Sequence, residues 1–173
     1  MKNKIFLMLF LRYFFLLVLG FNGLSFFYLI LTPLTIHPVF FIISLFEEVS
    51  ILQNIISFKG INIEIISACV AGSAYYLLTI LNMTTPMKPK QRIKSLLFLT
   101  ISFLFLNILR IIIFSYLAVY GFSYFDFAHK FVWYFGSTIL VVLIWFTNVH
   151  IFKIKSIPIF TDFKTIFNEY KKK

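Results

Sequence analysis

Three polar residues stand where so apolar a chain has little use for them: Cys69, Arg110 and His129. Arg110 lies inside the apolar run 96–116, in the segment Asn107-Ile108-Leu109-Arg110. An arginine in hydrocarbon costs about 2.5–3.5 kcal/mol on insertion scales, so it is rare unless it faces a bundle interior. Cys69 is the only cysteine and sits near the start of another membrane-length run. His129 opens a further one, with Asp126 a helical turn earlier. A lone thiol that a cation or a helix N-terminus can hold as thiolate, with a titratable imidazole, is the raw material of a nucleophilic site.

The elements that must position these groups are membrane helices. The chain has 173 residues, 61% hydrophobic and 13% charged, 25 of them Phe. A soluble domain of this length has too little interior for that much apolar surface, so lipid must cover part of it. Four runs, at roughly 13–31, 66–83, 96–116 and 131–149, are long enough to span about 30 Å of hydrocarbon as helices. The expected fold is therefore an all-α integral membrane protein, a four-transmembrane-helix bundle forming one domain over 1–173. Residues 34–46 are apolar but interrupted by His37-Pro38 and stopped by Glu47-Glu48. That length suits an interfacial or re-entrant helix within an outer segment 32–65 better than a fifth span.

The net charge of +10 suggests nucleic acid at first sight. The basic residues, however, cluster in short segments between apolar runs and form no stripe on a folded face, so no nucleic-acid partner is expected. With four crossings, every Lys and Arg falls on one side except Lys59, Arg110 and Lys130, and the other side carries Glu47, Glu48, Glu64 and Asp126. The positive-inside rule then places both termini in the cytoplasm of a multi-pass protein of the cell membrane.

In this topology the second run enters from outside. Gly60-Ile61-Asn62-Ile63-Glu64-Ile65 alternates as an extended lead-in would. Ser67 is the expected N-cap, which puts Cys69 in the first helical turn, where unpaired N–H groups and the helix dipole favour a thiolate. The bland alternative is that Cys69 belongs to a small-residue packing seam (Ala68/Gly72, Cys69/Ser73). Arg110 lies about 9 Å below Tyr116 at 1.5 Å per residue, and Thr100, Asn107 and Arg110 share one helical face. Arg110 alternatively snorkels and bonds only backbone carbonyls. A turn of helix from Asp126 to His129 would let the carboxylate orient the imidazole. Counted along their helices, Cys69, Arg110 and His129 all fall in the outer third of the membrane. His150 is about 30 Å from His129 on the same helix. One cysteine with one well-placed histidine falls short of a metal-ligand set, so neither metal nor cofactor is expected.

Ala68-Cys69-Val70-Ala71-Gly72, then Asn107-Ile108-Leu109-Arg110-Ile111, then His129 at the head of the next helix resemble the exosortase/archaeosortase family, most closely its small archaeal members. The resemblance covers about half the chain, 64–146, and Val70 departs from the small polar residue often found after the cysteine. It implies a membrane-embedded cysteine protease or transpeptidase acting on the extracytoplasmic face. Its substrates would be exported proteins ending in a short motif, one transmembrane helix and a basic tail, transferred to a membrane lipid or released to water. It also implies Cys69 as nucleophile, Arg110 as its assistant and His129 as the third catalytic position, with Asn107, Asp126 and Ser67 in support. A competing reading is a non-catalytic polytopic scaffold or carrier in which Arg110 pairs with an acidic partner helix.

Overall fold

The computed structural model describes residues 2–21 and 23–171; Met1, Asn22 and the terminal Lys172 and Lys173 lie outside the described residues. Its axis is α5, Pro89–Val119. Thirty-one residues give about 46 Å, more than the hydrocarbon thickness. Pro89 starts the helix where a missing N–H costs nothing. Along α5, Leu99, Phe103, Asn107, Ile111 and Ser115 are buried, while Leu97, Ile101, Phe105, Leu109 and Ile113 are exposed. Both stripes repeat every four residues, and the exposed one is entirely aliphatic and aromatic. A helix apolar all round belongs in lipid, and its polar positions Asn107 and Ser115 are turned to protein with Leu99, Phe103 and Ile111.

The chain is mostly helical, and three helices are long and apolar enough to cross a membrane: α2 (Ser25–Ser44), α5, and the continuous helical stretch Phe125–Ile151. That last stretch comprises α6 (Phe125–Phe131), a π-helical turn (Val132–Gly136) and α7 (Ser137–Ile151). The expected spans 96–116 and 131–149 lie within α5 and this stretch. The other two are drawn differently.

The expected span 13–31 is divided. α1 covers Lys2–Phe21, and α2 starts at Ser25 after Gly23 (φ 57°) and Leu24 (φ 63°) in the left-handed region. α1 packs along α4, where Tyr76 donates a hydrogen bond to the Leu16 carbonyl at 2.9 Å. Residues 34–44, expected as part of a separate interfacial or re-entrant segment, are the second half of α2. The apolar run is continuous across the break, so hydropathy alone misplaces the division.

The segment that follows is a three-stranded antiparallel sheet, a correction to an all-α fold. Its order is β1 (Val49–Leu52), β2 (Ile55–Phe58), β3 (Ile61–Glu64). The turn at Lys59 and Gly60 has φ of 50° and 78°, the geometry that matches strand twist in a two-residue hairpin. Ile56 and Phe58 are buried beneath the sheet, and the Phe58 ring meets Tyr116 of α5 edge-on at 5.7 Å. Lys59 pairs with Glu47 at 2.7 Å and donates to the Tyr120 hydroxyl at 2.8 Å, tying the hairpin tip to the end of α5.

The expected span 66–83 is also divided, into α3 (Ser67–Val70) and α4 (Gly72–Met83) at Ala71, φ 58°. At the opposite end of α5 from the sheet, Arg92 donates to the carbonyls of Asn82 and Thr85, capping the last turn of α4. Asn82 donates to Ser95 at 2.7 Å. A helix not foreseen in the sequence, α8 (Phe160–Lys171), docks at this same end. Its Asp162 is buried and pairs with Arg12, and Ile159 N–H donates to the Thr84 carbonyl. α1 and α8 thus meet beside the start of α5, around which Lys88, Lys90, Arg92 and Lys94 cluster, away from the sheet.

Candidate active site

β3 leads through Ile65 and Ile66 directly into α3, a single turn carrying Cys69. Ile66 is extended and occupies the N-cap position; Ser67, expected there, is the first helical residue, exposed and without a side-chain cap bond. The turn closes by Cys69 N–H donating to Ile66 O at 2.9 Å. Ala71 then takes a left-handed conformation and the helix restarts at Gly72. Gly72 is dictated by packing: a Cβ there would meet the Tyr28 ring at 2.8 Å. The expected long-helix dipole behind Cys69 is therefore replaced by one turn and a kink. Alignment over several turns is what builds a macrodipole, and four residues do not supply it.

The kink turns the Cys69 carbonyl toward α5. Asn107 Nδ2 donates to it at 2.9 Å, and an Arg110 guanidinium nitrogen donates to it at 3.3 Å. The other terminal nitrogen of Arg110 donates to Ser137 Oγ at 2.6 Å. Asn107 and Arg110 thus act from one face of α5, as their spacing predicts. Ser137 was not singled out from the sequence; the available signal was the small pair Gly136-Ser137 inside the apolar stretch after His129. Among the described residues no carboxylate pairs with Arg110. Its charge is held by a hydroxyl and a carbonyl only, so it remains available to a negative group arriving beside it.

His129 lies on α6 and is exposed. Its ring stacks on Phe125 (5.4 Å, 10° between planes) and tilts against Phe114 at 5.3 Å. Asp126 is exposed, and among the described residues it makes no ion pair or hydrogen bond with His129. The expected orienting contact is absent: aromatic packing, not a carboxylate, positions this imidazole. The π turn follows at once. An extra residue in one turn rotates α6 relative to α7, a device found often at functional sites. It lets His129 and Ser137 both approach α5, from the two sides of the turn.

Cys69, Arg110 and His129 line one cavity of about 530 Å³. Residues 61–66 of the sheet edge and its exit form one side; Phe114, Phe125, Val132 and Trp133 form the other. Glu64 and Lys130 bring opposite charges to the lining. Asn107, Asp126 and Ser67 do not line it: Asn107 is buried and bonded to the Cys69 carbonyl, and the other two are exposed outside the lining. His150 is exposed near the far end of α7. The arrangement can present a thiol, a cation and an imidazole to one extended apolar ligand.

Comparison with protein-family models, with curated proteins and with solved structures finds no match to this chain.

Proposed function

We propose that this chain is a membrane-embedded cysteine protease or transpeptidase that cleaves the C-terminal sorting signals of exported proteins on the extracytoplasmic face. One observation carries the reading: the only cysteine, the arginine inside the apolar run 96–116 and the histidine at the head of the last helix line a single cavity. In the proposed topology α1 and α2, joined end to end, make the first crossing, α3 and α4 the second, α5 the third and Phe125–Ile151 the fourth. The lysine-rich end is cytoplasmic and the sheet lies outside.

The Cys69 sulfur attacks the scissile carbonyl and forms a thioester as the C–N bond breaks. Arg110 stabilises the oxyanion of the tetrahedral intermediate, an effect of about 2.7–4 kcal/mol per donor in studied sites. His129 takes the proton of the Cys69 thiol and passes it to the departing amine; it then takes the proton of the incoming nucleophile, a lipid amine or water, and returns it to Cys69 as the thioester C–S bond breaks. The departing piece is the substrate's own transmembrane helix and basic tail.

A second reading, a non-catalytic scaffold or carrier, draws on the lack, among the described residues, of a carboxylate beside Arg110, which leaves its charge for an acidic partner helix. The deciding experiment uses Cys69→Ala and Cys69→Ser in cells that export a protein with a motif-helix-basic tail. Both variants are expected to insert normally and leave full-length precursor in the membrane. Normal maturation in either strain removes the peptidase reading and leaves the scaffold.

A further inference from the structure

We infer that the free edge of β3 is a docking strand: an extended peptide adds to the sheet as a fourth strand and is delivered along it to Cys69. This deepens the peptidase reading and rests on it. β3 is the edge of the sheet, paired only with β2. The two-residue turn makes Phe58–Ile61 a hydrogen-bonded pair, and alternation makes Ile56–Ile63 the next. The N–H and C=O groups of Asn62 and Glu64 therefore point away from β2. Among the described residues, no further backbone hydrogen bond engages them.

That edge faces the catalytic cavity. A cavity under one face of a strand touches alternate residues, because side chains alternate. This one is lined by Ile61, Asn62, Ile63 and Glu64 in succession, so it runs along the edge itself. Unpaired backbone groups beside apolar walls are costly unless water or a partner satisfies them. A peptide main chain supplies the matching donors and acceptors whatever its side chains. Its alternate residues would meet Phe114, Phe125 and Trp133, which selects apolar side chains at every second position. β3 continues through two residues into the turn holding Cys69, so a strand in register with it arrives at the sulfur.

The test uses the full chain in detergent or liposomes. The probes are a capped apolar tetrapeptide chloromethyl ketone, the same peptide methylated at alternate amide nitrogens, and iodoacetamide. Asn62→Pro deletes one outward N–H and keeps the β2–β3 ladder, since proline is tolerated on an edge. Peptide labelling of Cys69 is expected to slow about two- to tenfold in Asn62→Pro, which removes one backbone bond, and at least about fivefold on wild-type protein with the methylated probe, which removes two. Iodoacetamide labelling should not change. Peptide rates insensitive to both alterations, with iodoacetamide still reacting, overturn strand addition and leave the peptidase reading standing. A Cys69 inert to all three probes overturns both. A dimer that Asn62→Pro dissociates, with peptide labelling unchanged, assigns the edge to a second copy and overturns the proposal.

Discussion

Arg110 donates to the backbone carbonyl of Cys69, 3.3 Å away, while its other terminal nitrogen holds Ser137. The guanidinium therefore sets the pose of the residue that carries the thiol and joins three elements through one planar group. Lysine has a single point of attachment and cannot hold two acceptors at fixed geometry.

Arg110→Lys should insert and accumulate, yet lose at least about tenfold in substrate-tail release at matched enzyme level, equivalent to about 1.4 kcal/mol. Ser137→Ala separates clamp from catalyst. It leaves a donor short of its partner and should cost about 1–3 kcal/mol of thermal stability with a smaller loss of rate. Equal effects of the two variants on rate and stability would make Arg110 a staple only.

Gly72→Ala should destabilise by about 1–3 kcal/mol, because the new methyl collides with the Tyr28 ring at the start of α4. Tyr28→Leu in the same chain removes the colliding atoms, so the pair should be non-additive. Thermal unfolding in detergent measures the cycle. Additive losses would show that α2 and α4 do not pack at this point.

The division of charge along the chain gives a topology prediction. A reporter fused after Lys173 should read cytoplasmic, and one inserted at the Lys59 and Gly60 turn should read outside. A cytoplasmic signal from the turn would place the sheet, and Cys69 with it, on the wrong face for exported substrates.

The hairpin tip carries a pH signature. Bonds to Glu47 first and to Tyr120 next raise the Lys59 pKa above the ordinary lysine value. A raised cation pKa contributes fully below the unfolded lysine pKa and is lost only as pH rises through the folded value. Lys59 should therefore titrate above the ordinary lysine range when its ε-carbon shift is followed upward from neutral pH. Lys59→Met should fray the turn at all pH values and expose Phe58 to chymotrypsin at pH about 8, at which wild-type protein resists.

The face shared by Asn107 and Arg110 was legible because helical periodicity is constant. Counting along the chain places Arg110 below Tyr116 and Asn107 on the same face, and both side chains reach one carbonyl. The exposed stripe of α5, Leu97, Ile101, Phe105 and Ile113, was not singled out in the sequence, although it recurs at helical spacing. Local periodicity also marked residues 60–65 as extended, and β3 covers Ile61–Glu64.

What the amino-acid order determined by itself was thus the apolar character that suits a membrane, the clustering of positive charges between apolar runs and the helical face that Asn107 and Arg110 share. Each follows from interactions within a few residues or from a sum over a segment. Tertiary structure alone decided the rest. Gly23, Leu24 and Ala71 break helices by left-handed backbone choices inside uninterrupted apolar runs, where hydropathy is blind. The pairing of β1, β2 and β3 joins segments too short to declare themselves singly. His129 meets Phe114 and Phe125 instead of Asp126, and Ser137 meets Arg110, because packing between helices sets rotation about their axes, and that angle is written in no single segment.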